Sequence, residues 1–525
     1  MEEFTDSVWM LAPVLLSGIS GICLLLSSFL SHIRKTENGK VSGEENEAGA
    51  DVGEDRKAEG LDNSLKKLHI LVGTILTISV IAALVSVWTK ERSLTLFFLM
   101  DKVPIYFHID ALGRFFVTLT SVIWLAVGIY AFVYMKHEGD EKRFFGFFLL
   151  VYAVLLALET SGNLVTFYFF YELMTLTSMP LVLHSGSRES IMAALKYLFY
   201  SMCGAYCALF GIYFLYRYCD TLSFTAGGTL NMTLVSGNVL ILQIAVFLML
   251  IGFGTKAGML PFHSWLTAAH PAAPAPASAA LSSIIVKGGV LAIIRTVYYI
   301  VGPEFIRGCW VQTAWMILTL LTVFMGSMLA YREKVFKKRL AYSTISQVSY
   351  ILFGLSLLEE TAFTGALMHV VFHAFIKCAL FLTAGIFIFR TEKTRVDEYK
   401  GIGKQMSVTL WSYTFASLAL IGIPPMSGFI SKWYLAQGAL NSDTGIFRYL
   451  GPAVLLISAL LTAGYLLPVT ISGFLPGEED TTLPKKEPLD RMTAVLLILA
   501  VFTVLLGVFP NPLFEYAERI TISLF

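Results

Sequence analysis

The chain has 525 residues, of which 56% are hydrophobic and only 14% charged, with a formal net charge of +1 and a mean hydropathy of +0.70. Soluble domains carry about 25% charged residues, so this composition excludes a soluble protein of this size. We therefore predict an integral membrane protein in contact with the lipid bilayer. No nucleic-acid partner is expected.

Apolar stretches long enough to cross a bilayer recur along the chain. They lie at residues 8–30, 69–88, 112–134, 144–159, 162–184, 191–217, 240–262, 277–301, 310–330, 340–358, 363–389, 407–440, 450–474 and 493–509. We number them 1 to 14 in chain order. They predict an all-α polytopic membrane protein of about 14 transmembrane helices.

The distribution of Lys and Arg supports this count. Loops after odd-numbered helices hold 24 of these residues and loops after even-numbered helices hold 6. Since cytoplasmic loops are enriched in Lys and Arg, both termini are predicted to lie on the non-cytoplasmic side of a cell membrane. We expect this membrane to be a prokaryotic plasma membrane. The N-terminus lacks a basic segment and a cleavage site, so helix 1 is expected to be retained.

One long polar segment, residues 34–67, interrupts the apolar pattern. It is rich in Glu, Gly and Asp, which predicts a disordered cytoplasmic loop. Such a loop is either a regulatory or docking element or a tolerated insertion.

No cofactor or metal is expected in this chain. Its six cysteines lie in or beside apolar stretches without C-x-x-C spacing, and it has no glycine-rich nucleotide loop. Any redox chemistry must belong to partner subunits. Whether the chain is part of an oxidoreductase complex stays open.

Several ionisable residues remain near the centres of the apolar stretches. They are Glu172, Lys256, Lys287, His369, His373, Lys377 and Lys432. A charge at a helix centre costs about 2.5 to 3.5 kcal/mol on insertion scales, so we expect these groups to face one another in one hydrated file. Two alternatives stay open, namely a protonated buried carboxyl at Glu172 and a lysine at 256 that reaches to the membrane surface.

Two of these lysines lie beside predicted helix breaks. Lys256 precedes Pro261, and Lys432 follows Pro424 and Pro425. A proline inside a helix removes a hydrogen bond, and freed backbone at membrane depth survives only in protein or beside water. Because broken helices 7 and 12 are five helices apart, they cross in opposite directions, which indicates two inverted repeats. A close approach of Lys256 and Glu172 is also expected.

Helix 11 carries His369, His373 and Lys377 at spacings of four residues, hence on one face. A zinc-protease site would need Glu after the first histidine, and that residue is Val370. A proton relay suits the pattern better, since imidazole titrates near neutral pH.

With these motifs the chain resembles the antiporter-like subunits shared by respiratory complex I, Mrp-type cation/proton antiporters and energy-converting membrane hydrogenases. The resemblance covers essentially helices 3 to 13. It is carried by "HIDALGRFF", "FYELMTLTSMPLVL", "GTKAGMLPFHSWLTAAHPAAPAPASAALSSIIVKGGVLAIIR", "AYSTISQVSYI", "HAFIKCALFLTAG" and "GIPPMSGFISKWYL".

The resemblance implies two inverted five-helix repeats, helices 4–8 and 9–13, each forming half of a proton path. The expected divisions are 1–143 with the polar loop, 144–301, 310–474 and 493–525. The implied proton-path residues are Glu172, Lys256, Lys287, His373, Lys377 and Lys432. Lys196, His369 and His263 are secondary candidates.

Among members, a D-type antiporter protein or its hydrogenase counterpart fits best. Lys432 argues against the complex I M subunit, which usually has glutamate there. The expected partners are other membrane subunits of an ion-pumping complex, and the expected ions are protons, with Na⁺ as a second candidate. The alternatives are a pumping subunit of an NADH:quinone oxidoreductase and a non-conducting scaffold.

Overall fold

The computed structural model describes residues 8–41, 50–100, 103–476 and 487–525. The labelled elements are α1 (Ala12–Val41), α2 (Ala50–Thr89), β1 (Ser93–Met100), β2 (Val103–His108), α3 (Ala111–Glu138), α4 (Glu141–Glu159), α5 (Leu164–Val182), α6 (Arg188–Tyr218), α7a (Val239–Lys256), α7b (Ser264–Ala272), α8 (Ala275–Val301), α9 (Trp310–Arg332), α10 (Phe336–Ser356), α11 (Glu360–Thr391), α12a (Ser407–Ile421), α12b (Ser427–Asn441), α13 (Phe447–Phe474), α14 (Arg491–Val508) and α15 (Asn511–Ile522).

The chain is a mostly helical, multi-pass membrane protein. Within the described ranges, ten helices are long and apolar enough to cross a membrane. The remaining predicted stretches, 144–159, 162–184, 340–358 and 407–440, are also largely helical.

A β-hairpin corrects the prediction of an all-α fold. Strands β1 and β2 pair antiparallel between α2 and α3. In β2, Val103, Ile105 and Phe107 are buried and alternate with half-buried residues. This period of two matches a strand with one face on the protein core.

Helix also extends into the predicted disordered loop. Residues 34–41 continue α1 and residues 50–67 form the first part of α2, so the prediction is wrong for these residues. Residues 42–49 lie outside the described residues. Extending a helix that already exists adds one hydrogen bond per residue and avoids the cost of a new nucleus, which explains helix in a polar sequence.

A C-terminal helix that the sequence analysis did not expect follows α14. In α15 the Tyr516 hydroxyl donates to the Ala111 carbonyl at 3.0 Å. Thr521 lies 2.8 Å from Thr364 of α11, hydroxyl to hydroxyl. The helix therefore packs across α3 and α11 and ties the C-terminus to the bundle.

Helices α8 and α11 form the centre of the bundle. The most apolar window of α8 is 100% buried and that of α11 is 94% buried, whereas α1, α2 and α14 bury 33 to 39%. Lys287 lies on α8, and His369, His373 and Lys377 lie on α11. The central position of the two helices places these four ionisable side chains inside protein.

A buried ion pair fixes the end of α8 to the start of α3. Asp110 caps α3 by accepting from the Gly113 amide at 2.8 Å and also pairs with Arg295 of α8. The Arg295 guanidinium lies 4.6 Å from the Phe224 ring and 4.7 Å from the Tyr299 ring. The helix cap, the ion pair and the ring contacts thus all lie where the start of α3 meets the end of α8.

Two further buried pairs attach other elements to the core. His69 of α2 contacts Glu141 of α4. Arg390 at the end of α11 pairs with Glu487 at 2.8 Å and with Asp490 at 3.1 Å. Asp490 in turn caps α14.

Helices 7 and 12 are interrupted at the predicted positions. Gly258 follows α7a with φ +79°, and Gly422 follows α12a with φ +90°. Only glycine adopts this left-handed region readily, so each helix break depends on a glycine at this position. The two breaks lie beside Lys256 and Lys432.

Candidate functional site

Lys256, the last residue of α7a, is completely buried among hydroxyl groups. Its ammonium donates to Thr175 Oγ1 at 2.6 Å, to Tyr197 OH at 3.1 Å and to Ser201 Oγ at 3.1 Å. The Tyr197 ring also lies 4.6 Å from Nζ. Because hydroxyls both donate and accept, this shell can serve lysine with or without its extra proton.

Glu172 of α5 lies near this cluster without joining it. The half-buried carboxylate accepts from Tyr168 OH at 3.0 Å. No ion pair connects Glu172 to Lys256 among the described residues, although the two charges interact through space. The hydroxyls that take up the three donors of Lys256 explain the lack of a direct contact.

The backbone groups freed at the α7 break have other partners. Trp265 Nε1 donates to the Thr255 carbonyl at 2.8 Å, and the Leu260 amide donates to Thr322 Oγ1 at 3.1 Å. Lys256 is therefore not needed to satisfy this break.

The α12 break is satisfied by its lysine. Lys432, on α12b, donates to the Leu420 carbonyl at 2.6 Å and to the Ile421 carbonyl at 3.0 Å. These are the last carbonyls of α12a, which lack helical partners. Lys432 thus follows its break and caps the preceding half-helix, whereas Lys256 precedes its break.

Lys287 and His373 make the direct link between α8 and α11. Lys287 Nζ donates to His373 Nδ1 at 2.7 Å and to the Ser282 carbonyl at 2.8 Å. Ser282 lies in a π-helical turn, Leu281–Ile285, a feature frequent at functional sites. A metal ion on His369 and His373 would meet the Lys287 ammonium, so this site is unsuited to one.

The chain of polar groups continues from His373 to Lys432. The rings of His373 and His369 are 6.0 Å apart, and His369 Nδ1 lies 2.8 Å from Ser431 Oγ. Tyr350 stacks on His369 at 5.7 Å, and its ring lies 5.1 Å from Lys432 Nζ. We call Lys287, His373, His369 and Lys432 the central file.

Lys377 turns from the central file toward α10. Its ammonium donates to the Leu340 carbonyl at 3.0 Å and contacts Ser343 Oγ. Its charge still acts on Lys287 and His373. Lys377 therefore contacts the first half of α10 directly and interacts with the file through its charge.

The secondary candidates Lys196 and His263 lie outside the file. Lys196 is half-buried, 5.9 Å from the Tyr200 ring, and lines a surface cavity of about 940 Å³ with Glu189 and Lys338. His263 is half-buried just before α7b. Of the secondary candidates, only His369 joins the central file.

The neutral partners of the charged groups are absent from the predicted site residues. Thr175, Tyr197, Ser201, Tyr350 and Ser431 supply contacts to the lysines and to His369. Tyr197 and Ser201 lie four residues apart on one face of α6, which is a weak signal because hydroxyls are common in transmembrane helices.

A further buried carboxyl, at the end of α4, is absent from the predicted site residues. Glu159 is buried, and its Oε1 accepts from Thr120 Oγ1 at 2.5 Å. Its position at the edge of an apolar stretch made it resemble a loop residue.

A family model described as "NADH:quinone oxidoreductase/Mrp antiporter, TM" matches residues 161–462. This range contains the central file, Lys377, Lys256 and Glu172.

Curated relatives come from three kinds of complex. The N subunit of the NADH-quinone oxidoreductase of Desulforudis audaxviator is 32% identical over 76% of this chain and 81% of the relative. The D-type protein of the Na⁺/H⁺ antiporter of Alkalihalophilus pseudofirmus is 27% identical over 78% and 82%. Hydrogenase-4 component B of Escherichia coli is 32% identical over 68% of this chain and 54% of that longer protein.

The fold is shared with a chain in the structure of the Mrp complex from Dietzia sp. DQ12-45-1b. The TM-score is 0.79 at 21% sequence identity, over 99% of this chain and 97% of the other.

Proposed function

Because the chain belongs to the NADH:quinone oxidoreductase/Mrp antiporter transmembrane family, we propose that it is a proton-translocating subunit of a multisubunit ion-pumping complex. The observation that carries the proposal is the central file, in which buried titratable groups follow one another from α8 to the α12 break. Ionisable residues at membrane depth are costly and mark ion pathways.

The contacts suit stepwise transfer. Lys287 already donates to His373 Nδ1, so its proton needs only to move along an existing hydrogen bond. Release of a proton from the other nitrogen, Nε2, toward His369 returns the imidazole to neutrality. His369 then passes a proton toward Lys432 through Ser431 and bound water.

Lys432 is the exit group in this scheme. The two carbonyls that hold its ammonium belong to broken backbone, which must face protein or water at membrane depth. A proton released there reaches a hydrated break and not the lipid.

Lys256 and Glu172 form a separate gate in the proposal. Their charges interact through space, so a shift of α5 against α7a changes the balance between the carboxylate and the ammonium. The hydroxyl shell of Lys256 tolerates either protonation state.

The proposal includes two inverted repeats within about fourteen transmembrane helices. They comprise residues 144–301 and 310–474, flanked by 1–143 and 493–525. The support is that α7 and α12, at corresponding places, are each broken beside a lysine. We place both termini on the non-cytoplasmic side of the membrane, from the distribution of Lys and Arg. The prokaryotic relatives support a plasma membrane as the location.

We expect the parent complex to be a cation/proton antiporter, in which this chain is the D-type protein, or a membrane hydrogenase. A second candidate is a complex I-like NADH:quinone oxidoreductase, favoured by the 32% identity to an N subunit against 27% to the antiporter protein. Purification of the native complex separates them. Small membrane antiporter subunits alone support an antiporter, nickel–iron subunits indicate a hydrogenase, and NADH-oxidising flavin and iron–sulfur subunits indicate the oxidoreductase.

The test of proton translocation uses the whole complex in proteoliposomes with a pH-sensitive dye inside. We expect His373→Leu to remove most of the proton flux while the complex still assembles. The matched control is His137→Leu, since His137 is exposed at the end of α3 and its ring contact with α11 is at Phe389, 16 residues beyond His373. Equal flux from wild type and His373→Leu would refute the proposed path.

A further inference from the structure

His270, on α7b, is a buried histidine that the central file does not use. It is 1% exposed, and neither ring nitrogen has a hydrogen-bond partner among the described residues. His369 and His373 each have one through Nδ1. An unpaired buried polar group costs free energy, so an imidazole with two free nitrogens requires a physical reason.

The ring of His270 and the ammonium of Lys377 lie against the same phenylalanine, Phe381. The His270 ring stacks on Phe381 of α11 with centroids 4.5 Å apart, and Lys377 Nζ lies 5.9 Å from the same phenylalanine ring. The ammonium charge of Lys377 acts on the imidazole. Phe381 therefore links the His270 ring to the Lys377 side chain inside the bundle.

A second lysine binds the backbone just after His270. Lys337, in the first turn of α10, donates to the Ala273 carbonyl at 2.8 Å, one turn beyond His270. Its charge also acts on the imidazole. Lys337 is 7% exposed, but the next residue, Lys338, has a 39% exposed side chain that pairs with Glu333. Lys337 thus adjoins the surface that bears Lys338 and Glu333.

We propose that His270 is a further proton carrier, which passes protons between Lys337 at this surface and Lys377 inside the bundle. This inference rests on the proposed function. Bound water completes the gaps, since buried water commonly satisfies polar groups that lack protein partners. The two free nitrogens give the ring one position to receive a proton and one to release it.

The transfer balances in protons and charge. One ring nitrogen accepts a proton from the Lys337 ammonium, leaving a neutral amine and an imidazolium. The other nitrogen then releases a proton to a neutral Lys377 amine, which becomes an ammonium. The imidazole is neutral again in its other tautomer, and the ring returns by exchange with water.

The experiment measures proton flux in proteoliposomes that contain the whole complex, per amount of assembled complex. His270→Phe preserves an aromatic ring against Phe381 and removes both nitrogens, and His270→Gln keeps polarity without titration. We expect each to lower the flux at least several-fold. His137→Phe is the control, because His137 also meets an α11 phenylalanine, Phe389 at 5.3 Å, but is exposed.

A rescue measurement separates proton transfer from packing. His270→Ala opens a space of imidazole size, and added imidazole is expected to restore part of the flux while the same concentration of pyrazole, a ring of the same size that is a far weaker base, is not. A purely structural role would give the same effect with imidazole and with pyrazole. Wild-type flux from His270→Phe or His270→Gln would overturn the proposal, as would failure of imidazole to raise the flux of assembled His270→Ala.

Lys377→Ala in the same series distinguishes this proposal from the proposed function. Loss of flux in Lys377→Ala together with wild-type flux in His270→Phe would refute only the role of His270. Absence of flux in the wild-type complex would refute the proposed function itself.

Discussion

At the scale of single residues, Lys432 combines a capping task with the task of releasing a proton. Its ammonium satisfies the Leu420 and Ile421 carbonyls and lies 5.1 Å from the Tyr350 ring. The capping task needs only hydrogen-bond donors, whereas proton release needs a group that can lose its proton.

We predict that Lys432→Arg assembles like wild type and does not translocate protons. Guanidinium keeps the donors and the charge but stays protonated at any working pH. Melting temperature of the purified complex and proton flux in proteoliposomes measure the two properties separately. Wild-type flux from this variant would reduce Lys432 to a structural cap.

Lys432→Glu is expected to fail in both measurements. A carboxylate presents acceptors to two carbonyl oxygens that need donors, so the α12 break would lose its cap. The expected failure contrasts with the glutamate that, by the family resemblance, the complex I M subunit usually has at this position.

The sequence predicts the charged residues of the site better than their partners. Lys287 and His373 stand out because charge and imidazole are rare in apolar stretches. Ser431 and Tyr350 do not stand out, since a hydroxyl side chain costs little free energy in an apolar stretch. Only the packing of α10 and α12b against α11 gives them a role.

At the scale of elements, the contact between α7a and α8 depends on Gly289. A methyl group at this position would lie 2.6 Å from the Phe253 carbonyl oxygen and 3.1 Å from Lys256 Cβ. The two helices that carry Lys256 and Lys287 therefore meet through a missing side chain.

We predict that Gly289→Ala lowers the melting temperature and the proton flux together. Overpacking of this kind typically costs about 1–3 kcal/mol, and it displaces a lysine-bearing helix. Gly18→Ala is the control, because its methyl group would meet only Ala153 at an ordinary 3.5 Å. A Gly289→Ala complex as stable and active as Gly18→Ala would show that the close approach is unimportant.

The elements themselves follow from hydropathy where it is strong. Long apolar stretches predicted the helices, and the prolines at 261, 424 and 425 predicted both breaks. The hairpin and α15 escaped prediction because each is short and depends on contacts with segments distant in the sequence. The Tyr106 amide of β2 donates to Thr166 Oγ1 of α5 at 2.9 Å, and the Tyr516 hydroxyl of α15 donates to the Ala111 carbonyl at 3.0 Å.

At the scale of the whole molecule, the joint between Asp110 and Arg295 connects the N-terminal helices to the central helix α8. Arg295 is only 1% exposed, so loss of its partner leaves a buried charge without compensation. Breaking a buried pair in this way costs about 3–5 kcal/mol.

We predict that Asp110→Asn lowers the melting temperature of the complex far more than Asp397→Asn does. Asp397 pairs with Arg395 at 3.1 Å, but both side chains are about half exposed, and exposed pairs contribute little. Equal melting temperatures for the two variants would indicate that the α3–α8 joint is held by packing alone.

The most direct test of the central file is a double-mutant cycle on Lys287 and His373, whose nitrogens are 2.7 Å apart. Initial proton flux would be measured in proteoliposomes that contain the whole complex, for Lys287→Met, His373→Leu and the double variant. Groups in series on one path give non-additive losses, so we expect all three variants to share the same low residual flux. Residual flux in the double variant equal to the product of the two single effects, or wild-type flux in either single variant, would contradict the file.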